Sequence, residues 1–369
     1  MQRTLIICDL FTTNFLNNKL FDRSFIVKFP GSAFWPDVYD FCIHQGWSII
    51  TSDVYLADEK QYEQYDKYLI SEMYTPNTDT LIQKGITPLI TFSQESPNVA
   101  LKYHKNLFYY TGKYRHSILF SGLEQYANPS TTYHKLYWPN NMSDKLDTRV
   151  AWSEKKLLVM VASNKRRFDV AINRPLLSLR RILKRGYVQL VKATNPFFRF
   201  EDLYTKRIEA ILHFSNVEGF ALYGTLWDKP HGLNSKYYNA AKKLNPTRVD
   251  SKHAVLAQYK FNLCFENCVY PGYVTEKIFD CLLSGTIPVY FGAPDIANFV
   301  PKDCYLDFRD YDNFKDLQHA LESMTEEEAT KHLCAASDFV NSNDFKKYTI
   351  QNFSELFDKI LMKEIGSHA

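Results

Sequence analysis

Apolar residues in this chain come in short runs separated by polar, turn-rich stretches, and the spacing within each run assigns the elements. Residues 4–8 and 25–29 are short apolar runs. Residues 37–45 carry Val38, Phe41 and Cys42 at helical spacing, with Gly46 placed to close the helix. Residues 47–52 read as a strand, followed by a long charged and tyrosine-rich segment. Residues 87–92 read as a further strand that runs into Ser93-Gln94-Glu95-Ser96-Pro97. Ligands in open α/β sheets gather at the carboxyl ends of strands, so this loop is a place to expect chemistry.

Residues 129–153 lack a clear period and contain Pro129, Pro139, Ser143 and Asp144, so a domain link is expected there. A second series follows. It comprises a buried strand at 156–162, a helix at 174–185 closed by Gly186, and strands at 187–190, 220–223 and 261–266. A helix at 275–284, a strand at 286–292 and amphipathic helices at 314–324 and 353–363 complete it. Such a succession predicts parallel sheets. The expected organisation is one α/β domain over residues 1–150, a second over 151–345 and a C-terminal helix over 346–369.

Composition narrows the function. Across 369 residues, 44 Lys and Arg face 41 Asp and Glu, a net charge of +3. A nucleic-acid binder would need a strong basic field, so that class is set aside. Aromatic residues reach 15%, which favours large cores and surfaces that stack on sugars. No stretch approaches the ~18 apolar residues of a membrane span. The first apolar run breaks at Asp9, too early for a signal peptide. Seven scattered cysteines with no Cys-x-x-Cys pair suit a reducing compartment. These features lead us to expect a cytoplasmic protein, or one peripheral at the inner face of a membrane.

The most informative stretch runs from Tyr259 to Gly292. Tyr259-Lys-Phe-Asn-Leu-Cys-Phe-Glu-Asn267 reads as a strand and its exit. Tyr270-Pro-Gly-Tyr-Val-Thr-Glu-Lys277 is a loop entering a helix, with Thr275 as a reasonable N-cap. Ile278, Phe279, Leu282 and Leu283 make one apolar helix face, and Gly285 ends it. Helix N-termini bind phosphate through unpaired N–H groups and the macrodipole. Lys277 in the first turn opposes that dipole, so it requires an anion nearby. Glu276 could accept hydrogen bonds from sugar hydroxyls. Read without any such ligand, both are solvated first-turn side chains.

The same stretch resembles the α-1,3-fucosyltransferases, inverting enzymes that use GDP-fucose. Their hallmark is a Phe-x-Leu-x-Phe-Glu-Asn strand followed by Tyr-[Val/Ile]-Thr-Glu-Lys. Residues 259–292 match it closely, weaker similarity extends from 161 to 312, and the first domain matches only locally. The resemblance implies a GT-B architecture, two Rossmann-like domains with the active site in the cleft between them. It also implies GDP-fucose as donor on the C-terminal domain, no obligatory metal or other cofactor, and an oligosaccharide or lipid-linked glycan as acceptor. Lys277 matches the lysine on the donor pyrophosphate. Arg174 falls near the phosphate-binding arginine, with Arg166 and Arg167 as rivals. Tyr273, Val274, Thr275 and Glu276 match the segment at the ribose and fucose, and Asn267 the strand-end asparagine near the phosphates. Val249, Asp250, Ser251 and Lys252 resemble the loop that holds the nucleoside. Glu95 matches the family's base, a glutamate in a Glu-Ser-Pro segment, with Glu124 as runner-up. Cys268 stands where the family often has Ser, and Pro271 precedes Gly272.

Two other patterns lead elsewhere. Asp310-Tyr-Asp312 is an Asp-x-Asp motif that holds a metal in other glycosyltransferases. It precedes the helix at 314–324, so Asp312 or Asn313 as N-cap is the better reading. Glu266 and Glu276 suggest a glycosidase carboxylate pair, but that chemistry has no use for Lys277 or a phosphate-binding helix start.

Overall fold

The structure is a computed structural model. It describes residues 3–120, 130–144, 150–164, 200–227 and 235–366, together with part of 183–194. The chain divides into two units. The first is Met1–Glu95, Val99–Asn141 and Lys346–Ala369, and the second is Ser96–Asn98 and Met142–Phe345.

The first unit is a six-stranded sheet. Its strands are β1 (Arg3–Asp9), β2 (Ser48–Thr51), β3 (Tyr65–Glu72), β4 (Thr87–Phe92), β5 (His116–Leu119) and β6 (Thr132–Lys135). They lie in the order β2-β1-β3-β4-β5-β6, every pair parallel. Parallel strands are covered on both faces, which is why Leu5–Cys8 is an unbroken apolar run, buried throughout. The order reverses between β1 and β3, and the carboxyl ends of those strands border a topological switch point.

Three departures from the sequence reading have local causes. The apolar run at 25–29 does not make a strand. The Asp22 carboxylate accepts from the N–H groups of Ser24 and Phe25 and starts the short helix Arg23–Ile26. The tyrosine-rich segment holds β3, in which the adjacent charges Asp66 and Lys67 lie between Tyr65 and Tyr68, ahead of the apolar Leu69 and Ile70. The expected link contains β6.

The C-terminal segment belongs to the first unit. Thr349 caps the helix Ile350–Glu364 by accepting from the Asn352 N–H. This helix packs on the helix Trp35–His44 through a ring cluster of Phe34, Trp35, Phe92, Phe353 and Phe357. Its end is tied to the sheet by Glu364, which meets Arg115 at 2.8 Å and the His116 ring at 3.1 Å.

The second unit contains β7 (Lys156–Val161), β8 (Glu201–Asp202), β9 (Phe220–Tyr223), β10 (Tyr259–Phe265), β11 (Cys268–Val269), β12 (Ile287–Phe291) and β13 (Leu306–Asp307). Five form a parallel sheet in the order β13-β12-β10-β7-β9, and β8 with β11 makes a short antiparallel ladder. Leu158, Met160, Phe261, Leu263 and Val289 of the sheet pack with Ile208, Ile211 and Phe214 of the helix Tyr204–Phe214. The expected strand at 187–190 is absent: Tyr187, Gln189 and Leu190 are helical, and Tyr187 and Leu190 point to solvent. Of the expected helix at 174–185, only Leu183 is among the described residues. Asn313, not Asp312, caps the helix Phe314–Ser323, accepting from the Lys315 and Asp316 N–H groups. No helix among the described residues is long and apolar enough to cross a membrane.

Candidate active site

In the second unit the strand order reverses between β7 and β10, and β10 delivers Glu266 and Asn267 at its carboxyl end. Glu266 is fully buried. Its carboxylate accepts from the Thr275 N–H and hydroxyl at 2.9 Å, and from the Lys277 ammonium at 3.0 Å. A buried carboxylate is tolerable only with such partners. Thr275 occupies the N-cap position of the helix Glu276–Ser284, yet its hydroxyl makes no cap bond. It turns to Glu266 instead, so the expected capping role passes to a site-building one.

Lys277 therefore has the anions its position demands: Glu266, and Glu276 at 3.3 Å. Burial works against the ammonium, but these two carboxylates outweigh both burial and the repulsion of Arg207, and its pKa is raised. Burial likewise opposes the Glu276 charge, which Lys277, Lys252 and the helix's first N–H hold down at about 2. Both residues are charged at neutral pH. The Lys277 side chain keeps one fifth of its surface open.

Arg207 is a residue the sequence reading missed. It lies inside the helix Tyr204–Phe214 and is 5% exposed. Its guanidinium donates from Nε to the Phe265 carbonyl at 3.0 Å and from Nη2 to Asn267 Oδ1 at 3.1 Å, and lies over the Tyr204 ring. Among the described residues no carboxylate pairs with it. Asn267 is thus a hub: its Nδ2 donates to the Tyr273 hydroxyl and its carbonyl accepts from Asn98 Nδ2 at 2.8 Å. Tyr273 and Val274, in the loop that enters the helix, are buried. Arg166, Arg167 and Arg174 lie outside the described residues.

The 249–252 segment meets the same helix through Lys252 and Asp280. Val249 is half-buried and Asp250 exposed. Ser251 caps the helix Lys252–Leu256 by accepting from the Ala254 N–H. Lys252 donates to Asp280 at 2.6 Å, and Asp280 with Glu276 raises its pKa against the opposing effect of burial.

Gly292, at the exit of β12, fits this site closely. A Cβ there would lie 2.5 Å from Glu266 Cγ and 2.6 Å from the Tyr290 hydroxyl. Gly292→Ala should cost roughly 1–3 kcal/mol, the usual penalty of overpacking, and should displace Glu266 from Lys277. Urea unfolding measures the first effect. An unchanged midpoint would show that the pocket yields.

In the first unit, Glu95 follows β4 and is half-buried. Burial pushes the His104 imidazole down to about 4, so the ring is neutral and its Nε2–H donates to the Glu95 carbonyl at 2.9 Å. That bond fixes the backbone of the candidate base. Glu72 ends β3, the next strand in the sheet. Burial, then the charge of Glu95, pushes its carboxyl up to about 7, against the opposing pull of the Phe11 N–H. Glu124 lies outside the described residues.

Residues 221–349 match the glycosyltransferase family 10 (fucosyltransferase) C-terminal domain. The α-(1,3)-fucosyltransferase FucT of Helicobacter pylori is 34% identical over 142 residues, 35% of this chain and 29% of that protein. The chain thus spans less than a third of the length of this curated relative. Among solved structures, an α1,3-fucosyltransferase superposes with a TM-score of 0.50 at 17% identity, over 100% of this chain and 93% of the other. HepE of Anabaena, crystallised with UDP and glucose, superposes with a TM-score of 0.55 at 9% identity, over 97% and 99%. At such identities these two likenesses speak for the fold alone, which is of the GT-B type, two units each built on a parallel sheet. Together with the motif from Tyr259 to Gly292, the match makes residues 221–349 similar to the C-terminal domain of the family 10 fucosyltransferases.

Proposed function

We propose that the protein transfers L-fucose from GDP-β-L-fucose to a glycan hydroxyl, with inversion and without a metal. The acceptor position we assign is O3 of a GlcNAc-like residue, on an oligosaccharide or lipid-linked glycan. The observation that carries the donor half is Arg207. A buried guanidinium bonded to neutral oxygens, and linked through Asn267 to Tyr273 in the loop that leads into the helix Glu276–Ser284, asks for an anion. The donor pyrophosphate supplies it. Lys277, oriented by Glu266, provides the second cation.

In this reading Glu95 removes the acceptor proton as the oxygen attacks the anomeric carbon from the face opposite GDP. The C–O bond to the β-phosphate breaks with its electron pair going to the phosphate. Lys277 and Arg207 offset the charge that grows there, a preorganised electrostatic role. Ser96–Asn98, which directly follows Glu95, belongs to the second unit and bonds Asn267. We place this activity in the cytoplasm, on the seven scattered cysteines of the sequence and their lack of a Cys-x-x-Cys pair.

The test is transfer from a panel of nucleotide sugars in excess EDTA. GDP-fucose should be the preferred donor, and chelation should leave the rate unchanged. Activity that disappears and returns only with a divalent cation would contradict the metal-free scheme. Preference for another GDP-deoxysugar would keep the phosphate site and change the sugar assignment.

A further inference from the structure

The carboxyl end of the first sheet carries a second acidic residue beside the candidate base. Glu72 is the last residue of β3 and pairs in register with Phe92 of β4, three positions before Glu95. β3 borders the switch point of this sheet, where ligands of open α/β folds lie. One local feature holds the end of β3 in place. Met73, directly after Glu72, takes a positive φ of 60° and donates its N–H to the Phe92 carbonyl at 2.7 Å. A non-glycine residue in that region is strained and persists where surrounding structure fixes it. The Phe11 N–H, from the loop after β1, favours the charged form of Glu72.

The groups acting on Glu72 are therefore the Glu95 carboxylate from the loop after β4 and the Phe11 N–H from the loop after β1. Asp9, at the neighbouring end of β1, is committed elsewhere: its carboxylate accepts from the hydroxyls of Ser52, Thr75 and Thr78. His104 is neutral and bonds the Glu95 carbonyl.

We propose that Glu72 is the positioning partner of Glu95, the two carboxylates forming a pair that holds between them the proton taken from the acceptor hydroxyl. This rests on the reading of Glu95 as base. The acceptor O–H bond breaks as its oxygen bonds the anomeric carbon, and the proton goes to Glu95. The negative charge of Glu72 makes Glu95 a stronger base, and the pair later releases the proton to water. Two carboxylates that repel one another titrate in two separated steps. Glu72 is uncharged below about 7 and ionised above it. Turnover should accordingly rise with pH through neutrality and level off.

Two measurements test this. In protein labelled with carboxyl-¹³C glutamate, the Glu72 resonance is identified by its absence in Glu72→Gln and titrated in wild type and Glu95→Gln. Its midpoint should drop by about one unit once Glu95 is neutral, the minimum coupling of an interacting pair. Release of GDP from GDP-fucose, with water or glycan as acceptor, is then followed against pH. Glu72→Gln should lose the rise through neutrality and about tenfold in plateau kcat, the equivalent of that unit, with KM for GDP-fucose unchanged. A wild-type pH profile and kcat in an active Glu72→Gln enzyme would overturn the pair and leave the donor reading standing. If wild type releases no GDP, the donor reading falls; the titration then decides, a shifted midpoint supporting the pair and an unmoved one overturning it.

Discussion

Glu95→Gln lowers kcat by about 10²–10⁴, the usual worth of a positioned general base, and leaves GDP binding as it was. The substitution keeps the size and polarity of the side chain and removes its ability to take a proton. The His104 bond goes to the Glu95 carbonyl, so the backbone stays where it is in the variant. The donor contacts proposed above lie at the end of β10 and the start of the helix Glu276–Ser284, and the substitution leaves them untouched. Steady-state kinetics at saturating GDP-fucose read the loss directly. Retention of more than about a tenth of wild-type kcat would exclude a base contribution of this size, and Glu124 would become the candidate.

Lys277→Ala acts on both binding and rate. In the proposed reading the ammonium meets the leaving phosphate in the ground and transition states, so KM for GDP-fucose should rise and kcat should fall. One charge-assisted contact of ~1.5–3 kcal/mol corresponds to about ten- to a hundredfold in kcat/KM. A structural cost comes with it. Glu266 is fully buried and Lys277 is the cation that bonds it, so the variant leaves a buried carboxylate without its counter-charge. Thr275 alone remains to hold Glu266. The unfolding midpoint should fall alongside the activity, which makes Glu266→Gln in the Lys277→Ala background informative. That double variant should regain stability and stay catalytically poor. Recovery of kcat/KM in the double variant would mean that the lysine serves the fold alone.

The sequence carried the second unit's site well because the signal there is local. From Tyr259 to Gly292, strand, loop, helix and strand follow without interruption, and each is dense in apolar residues of the right period. Thr275 and Lys277 were legible as positions, but the tertiary partner that organises both, Glu266, was read only as half of a rejected pair. Arg207 was hidden for a related reason. In a helix with Lys206 and Glu209 beside it, an arginine looks like part of a solvated face. It is buried because the Phe265 carbonyl at the end of β10 lies within its reach, and sequence spacing does not show that. Glu72 was missed with its whole strand: Tyr65–Tyr68 carries Asp66 and Lys67, and only Leu69, Ile70 and the polar Ser71 are fully sequestered. The destination of the C-terminal helix rests on aromatic contacts with residues some three hundred positions away, which no local pattern encodes.

The central claim is that Arg207 and Lys277 together bind a nucleoside diphosphate through its pyrophosphate. Calorimetric titration of the full chain with GDP, GMP and UDP tests it most directly. GDP should bind at least about tenfold tighter than GMP, because the second phosphate adds at least one charge-assisted contact of ~1.5 kcal/mol, and UDP should bind more weakly than GDP. Equal affinity for GMP and GDP would contradict the account, because the two buried cations would then have no phosphate to meet.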